Sequence, residues 1–284
     1  MPPPAFDPRV TPARPDLAAA WLRGKVAAAR FVEGRAYRVA AASAPLRRAP
    51  NAEAPLDTEA LHGESAVVYD ERGDWAWAQL TRDLYVGYLP RAALASPTAP
   101  THRVSALRAH AYPAADIKRP PRLALSLGAL VRVEMREGDF AVTTDKLRLC
   151  ERQLAPIDRF EPDFVAVAER FLETPYLWGG RTSEGIDCSG LIQTALAAAG
   201  ISAPRDSDMI EAALGAPRPI DEALSGLRRG DLVFWKGHVG VMRDASTLLH
   251  ANAWRMKTAS EPLAEARARI AAATGADIVA IKRL

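Results

Sequence analysis

Cysteine is scarce, with Cys150 and Cys188 the only two in 284 residues. A disulfide framework is therefore excluded, and the expected reducing compartment disfavours even one bridge between them. No run of about 18 apolar residues occurs, so no helical membrane span is expected. Residues 1–15 hold six prolines and no apolar stretch of the kind an export signal needs, which makes the cytoplasm the expected location. Lysine is also rare, supplying six of the 37 basic residues, and the formal net charge is only +3. With no Lys/Arg run interleaved with aromatics, nucleic acid is not an expected partner. What is present, 49% hydrophobic and 25% charged residues, fits two or three small globular domains.

One stretch organises the chain. Thr174-Pro175-Tyr176-Leu177-Trp178-Gly179-Gly180-Arg181 leads to Gly185-Ile186-Asp187-Cys188-Ser189-Gly190, after which Leu191, Ile192, Ala195, Leu196 and Ala199 recur at helical spacing up to Gly200. Cys188 therefore sits at a helix start, where unpaired N–H groups and the helix dipole favour a thiolate. Taken alone, a single cysteine reads more readily as a small buried hydrophobe. Cys150, in the alternating run Lys146-Leu147-Arg148-Leu149-Cys150, reads as a strand residue without chemistry.

Downstream, Leu232-Val233-Phe234-Trp235 and His238-Val239-Gly240-Val241-Met242 read as strands, followed by a turn at Arg243-Asp244-Ala245 and a third strand, Ser246-Thr247-Leu248-Leu249-His250. A hairpin centred on Asp244 pairs Met242 with Ser246 and sets His238 opposite His250. Period-two alternation then turns both imidazoles to one face. A thiol, an imidazole and a second polar group that orients the first form the arrangement that activates a cysteine nucleophile.

Together, Trp178-Gly179-Gly180, Asp187-Cys188-Ser189-Gly190, Gly230-Asp231-Leu232-Val233-Phe234, His238-Val239-Gly240 and Leu249-His250-Ala251 resemble the NlpC/P60 cysteine peptidases, which cut cell-wall peptides. The resemblance covers residues 158–284. It implies a papain-like α+β catalytic domain in which Cys188 attacks, His238 carries the proton and His250 fixes the ring of His238. No cofactor and no metal are implied. Backbone N–H groups at the helix start are the natural oxyanion donors, and the resemblance adds the Tyr176 hydroxyl. It also makes Trp178, Asp187 and Ser189 site residues. Three other readings stay open: a Cys-His-His zinc site, a catalytically silent wall-peptide binder, and an amidase or acyltransferase of related fold.

Towards the N-terminus, residues 1–36 read as a Pro-rich leader and a short helix capped by Asp16, ended by Gly24 and anchored by Trp21. Short alternating runs over 37–96 indicate a small all-β barrel. There, Leu61-His62-Gly63-Glu64, Gly73-Asp74-Trp75-Ala76-Trp77 and Gly87-Tyr88-Leu89-Pro90 resemble a bacterial SH3 domain. Residues 97–157 echo it at an offset of about 65 residues, giving a second, divergent SH3-like copy, with 96–100 and 155–162 as linkers. Two such barrels before a peptidase domain resemble the γ-D-glutamyl-L-diamino acid endopeptidases. That resemblance implies small murein peptides, L-Ala-γ-D-Glu-diamino acid with a free amine, as partners of a monomer. It places amine recognition at Glu64, Tyr85 and Asp206, with Ser207 and Ser189 beside them.

Overall fold

The structure is a computed structural model that describes residues 6–284. The first five residues of the Pro-rich leader lie outside the described residues. The chain divides into two compact units, residues 1–157 and 158–284.

The first unit is β-rich. Its largest sheet contains β1 (Arg35–Val39), β2 (Ser43–Arg47), β3 (Leu56–Leu61), β4 (Ser65–Arg72), β5 (Trp75–Leu80), β6 (Val86–Pro90) and β7 (Leu94–Ala95), in the spatial order β3-β2-β6-β5-β4-β1-β7. Every pairing is antiparallel, and among the described residues the sheet does not close into a barrel. Alternation along β4 sends Ala66 and Val68 into a core with Leu46, Leu80 and Leu89. Gly73, at φ 57°, turns the β4–β5 hairpin in a conformation that a residue bearing Cβ seldom adopts.

Beyond residue 100 the strands are shorter and fall into sheets of two or three. His102–Val104 lies between Leu130–Val131 and Leu154–Pro156, and Arg108–Ala111 pairs with Leu123–Ser126. Phe140–Thr143 lies between Val133–Glu137 and Arg148–Cys150. Two backbone features repeat at the 65-residue offset. Gly63 and Gly128 share positive φ, 78° and 91°, as do Gly73 and Gly138, 57° and 60°. Residues 155 and 156, expected as linker, belong to the strand Leu154–Pro156.

The short N-terminal helix is corrected. Ala18–Ala19 pairs in parallel with Phe31–Val32, and a single 3-10 turn, Ala20–Leu22, follows. Trp21 is 54% exposed, whereas Ala18, Ala19 and Leu22 are buried, so the anchor is aliphatic. Nor is the segment held by a helical face. Arg14 fixes it to the sheet, stacking 4.3 Å from the Trp77 ring and pairing with Asp70 at 2.6 Å.

The second unit has the expected α+β order. Helices α1 (Phe164–Glu169), α2 (Cys188–Ala198) and α3 (Ser207–Ala213) come first. They are followed by β8 (Ala216–Pro217), β9 (Leu232–Trp235), β10 (His238–Met242), β11 (Thr247–Asn252), β12 (Lys257–Pro262), α4 (Leu263–Thr274) and β13 (Ala280–Arg283). The six strands form one antiparallel sheet, β8-β13-β9-β10-β11-β12. The last strand starts only at Ala280. Asp277 is instead tied to Arg267 of α4 at 2.7 Å and ends the chain's return from that helix.

Helix α2 crosses β10 and β11 and also packs on α1. All its residues but Ala197 are buried, so it is the central helix of the unit rather than an amphipathic surface one. Leu191, Ile192 and Leu196 are fully buried, each contributing about 1.5–3 kcal/mol. Gly190 is required by close approach, since a Cβ there would lie 2.3 Å from the Gly180 carbonyl oxygen. Gly190→Ala should therefore destabilise this unit by about 1–3 kcal/mol. Calorimetry should show its melting lowered by roughly 5–10 °C, and an unchanged melting temperature would contradict the contact.

Candidate active site

The nucleophile's position is set by the residue before it. Asp187 has extended backbone, φ −97° and ψ 178°, and occupies the N-cap of α2. Its Oδ1 accepts the Gly190 N–H at 2.6 Å and its Oδ2 accepts the Gly179 N–H at 2.9 Å, so one carboxylate joins the Trp178-Gly179-Gly180 turn to the helix start. Arg205, also buried, donates to both oxygens, at 3.0 and 2.6 Å, and to Ser189 Oγ at 2.7 Å. The bidentate fork neutralises a buried charge and fixes its orientation. Asp187 and Ser189 thus brace the turn that carries Cys188. Arg205 is part of the same brace.

Strands β10 and β11 supply the imidazoles. Their observed register pairs Val241 with Leu249 and Met242 with Leu248, which corrects the expected hairpin centred on Asp244. The turn is displaced by one residue because Asp244 Oδ1 accepts the N–H groups of Ser246 and Thr247, both at 2.8 Å, closing a loop centred on Ala245. Continued outward, this register sets His250 opposite Gly240, and His238 becomes its diagonal neighbour on the same face. Gly240 makes that approach possible, since a Cβ there would lie 3.2 Å from His250 Cβ and 2.7 Å from Leu248 Cδ1. The rings meet with His238 Nε2 2.8 Å from His250 Nδ1. Trp235, across the Lys236-Gly237 turn, packs on the His238 ring with centroids 5.8 Å apart.

Cys188 joins this group through the backbone of β10, since the Val239 N–H, next to His238, donates toward its sulfur. Burial pushes the thiol up to about 12, with the Asp187 charge adding, and the N–H groups of Val239 and Ser189 only partly oppose this. Against the thiolate expected at a helix start, desolvation is the larger influence here and favours the neutral thiol over the helix-end donors. Burial, followed by the neighbouring His250, holds His238 well below its ordinary range, so the base is also neutral. The Tyr176 hydroxyl is raised by burial and by its nearness to Cys188 and Asp187, so it remains a proton donor beside the thiol.

The remaining expected residues are more dispersed. Trp178 is 67% exposed. Asp206 and Ser207 stand at the start of α3, where the Asp206 side chain makes no cap bond and Ser207 is buried. Glu64 and Tyr85 belong to the first unit. The Glu64 carboxylate accepts the Leu61 N–H at 2.9 Å and lies 3.2 Å from Arg82 Nε, while Tyr85 is packed into the core of the large sheet.

One residue of the site has no counterpart in the sequence reading. Glu261 on β12 places Oε1 2.7 Å from His250 Nε2, extending the line of side chains by one member. Strand β12 pairs His250 with Ala259, so Glu261 is again a diagonal neighbour. The weak alternation in Lys257-Thr258-Ala259-Ser260-Glu261 is the only sequence signal for it.

Residues 173–269 match the NlpC/P60 family, and residues 46–94 match the bacterial dipeptidyl-peptidase Sh3 domain. Over 221 residues the chain is 30% identical to a gamma-D-glutamyl-L-lysine dipeptidyl-peptidase of Bacillus subtilis (strain 168), covering 69% of this chain and 72% of that one. A dipeptidyl-peptidase 6 of Lysinibacillus sphaericus is 35% identical over 94 residues, 33% of each chain, so the match spans a third of that relative's length. An NlpC/P60 family protein from Bacillus cereus ATCC 10987 shares the fold, with TM-score 0.72 and 20% identity over 88% of this chain and 99% of that one.

A neutral thiol has a kinetic signature. Alkylation of Cys188 by iodoacetamide, followed by the mass of the Cys188 peptide, should accelerate about tenfold per pH unit from pH 6 to 10. A rate plateau below pH 7 would instead reveal a thiolate already formed at rest.

Proposed function

The chain belongs to the NlpC/P60 family, and on that premise we propose that it is a cysteine peptidase cutting the amide between a γ-D-glutamyl residue and an L-diamino acid in murein-derived peptides. The observation that carries the reading is the hydrogen-bonded imidazole pair, His238 to His250 at 2.8 Å, on the strand whose backbone meets the buried Cys188. The name of the Bacillus subtilis relative supports the choice of bond.

In the proposed reaction, Cys188 Sγ attacks the glutamyl side-chain carbonyl while its proton passes to His238. Backbone N–H groups at the start of α2 and the Tyr176 hydroxyl meet the developing oxyanion, each donor worth about 3 kcal/mol. His238 then protonates the amine as the C–N bond breaks, leaving a thioester on Cys188. Water attacks the thioester with His238 as base, and the returning proton restores the thiol. Neutral partners suit this sequence, because no charge has to be held in the buried site between turnovers.

The finer parts of the proposal are a second SH3-like copy over residues 97–157, supported by the repeated positive-φ glycines, and action as a cytoplasmic monomer on small peptides. A preference for a free N-terminal L-Ala is the last, with Glu64 among the carboxylates assigned to it.

L-Ala-γ-D-Glu-L-Lys, its meso-diaminopimelate counterpart and the N-acetylated form of each test the reading, with products identified by mass. Release of L-Ala-D-Glu from the free-amine peptides is expected, and Cys188→Ala should abolish it. Glu64→Ala should narrow the preference for free over acetylated peptide. Equal cleavage of both forms by the unsubstituted enzyme would retain the peptidase and remove the amine preference. No cleavage of any peptide would remove the assigned bond.

A further inference from the structure

We propose that Glu261 is a positioning residue that fixes the tautomers of both active-site imidazoles, so that Nδ1 of His238 is the nitrogen left free to take the thiol proton. The inference rests on the peptidase reading for its meaning, but its geometry stands independently.

The tautomers follow from a count of the ring protons. His250 is fully buried and Glu261 nearly so. Glu261 is flanked by two cations, Arg255 Nη2 at 3.4 Å and Arg269 of α4, which contacts the Oε1 atom shared with His250. Arg269 is itself held against Trp254, 5.6 Å from the ring. The hydrogen bond from His250 and these two guanidinium groups hold the Glu261 carboxyl down to about 2, so it is ionised and acts only as an acceptor.

Across the 2.7 Å contact, His250 Nε2 must then be the donor. Burial keeps His250 neutral, with a single ring proton. Its Nδ1 is consequently bare and can only accept, which makes His238 Nε2 the donor across 2.8 Å. His238 is neutral too, so its own Nδ1 is bare.

Without a fixed acceptor at the far end, the neutral pair has a second arrangement in which every proton is reversed. His250 Nδ1–H then donates to His238 Nε2, and His238 Nδ1 carries a proton. That arrangement leaves His238 unable to accept from the thiol through Nδ1. The charged groups facing this line are Glu261 from β12, Arg255 from the β11–β12 turn and Arg269 from α4, and the Val239 N–H next to His238 donates toward Cys188 of α2. Glu261 is the one anion among the groups at the His250 end, and it determines the direction of the chain of hydrogen bonds.

The test needs no substrate. In uniformly ¹⁵N-labelled full-length protein at pH 7, the imidazole ¹⁵N shifts and their couplings to ring protons identify each tautomer. Both His238 and His250 are expected as Nε2–H, and finding either ring as Nδ1–H would overturn the proposal whether or not the peptide is cleaved. Failure to cleave with the tautomers as expected would count against the substrate assignment alone.

Kinetics supply the second arm. Glu261→Ala should lower kcat on the order of a hundredfold with KM little changed, because the base is misoriented while the groove is intact. Glu261→Gln keeps the shape and an acceptor oxygen but removes the charge, which guards against a loss caused only by misfolding of the Ala variant. The Glu261 anion raises the proton affinity of both rings, so its removal should move the histidine limb of the kcat/KM profile to lower pH by about one unit. An unmoved limb in Glu261→Gln, with both tautomers unchanged in Glu261→Ala, would reduce Glu261 to a structural ion pair.

Discussion

Five donors converge on the carboxylate of Asp187: the N–H groups of Gly179 and Gly190, the Ser189 hydroxyl and two guanidinium nitrogens of Arg205. The cap bond starts α2 at Cys188, the Gly179 bond folds the preceding turn onto that start, and Arg205 makes a buried charge tolerable at a place where apolar packing surrounds it. Removing Arg205 alone would leave Asp187 uncompensated, a loss of about 3–5 kcal/mol for pairs of this kind. The same carboxylate acts against the nucleophile by raising the thiol's proton affinity. One group thus positions Cys188 and also adds to the burial that opposes its ionisation, two effects that pull in different directions.

The sheet resolves the rest of the site by register. A one-residue displacement of the turn, held by Asp244, replaces a directly opposed His238–His250 pair with a diagonal one, and a further diagonal brings Glu261 to His250. Diagonal neighbours lie farther apart than opposed ones. The bare backbone of Gly240 lets the rings close that gap to a 2.8 Å hydrogen bond. The Gly240 position is therefore as much a part of the site as the histidines that flank it in space.

Much of this was legible in the sequence wherever local chemistry alone decides the outcome. The α2 start follows from Asp187 and the apolar run after it, and the α+β order follows from helices that precede strands. The β4–β5 hairpin is marked by Gly73 between alternating runs. Strands β2 and β3 gave no such signal, because Pro45 and the polar Asp57-Thr58-Glu59 mask their alternation. The N-terminal segment read as a helix because Ala-rich sequence has high helix propensity. Tertiary pairing with Phe31–Val32 and the Arg14 contacts to Asp70 and Trp77 prevail over that propensity. The hairpin centre missed by one residue, because it depends on a side-chain-to-backbone bond that no periodicity reports. Glu261 and the Arg205 fork lie beyond any motif, because each is defined only by partners distant in sequence.

Two buried carboxylates stand at opposite ends of the catalytic line, each guarded by arginine, and they work on opposite members of the pair. Asp187 opposes thiolate formation at Cys188, and Glu261 favours a proton on the imidazoles. Desolvation acts with Asp187 to keep the sulfur protonated and outweighs Glu261 at the imidazoles, so both sulfur and ring favour the neutral form at rest. The energy of separating charge is then required only while a carbonyl is under attack, when the sulfur's electrons are passing into a new bond and the imidazolium that forms has a hydrogen-bonded path, through His250, to an anion. A resting ion pair would have to be sustained in the same buried volume without that compensation. The structure favours the neutral pair because burial, at this site, is the largest influence on both groups.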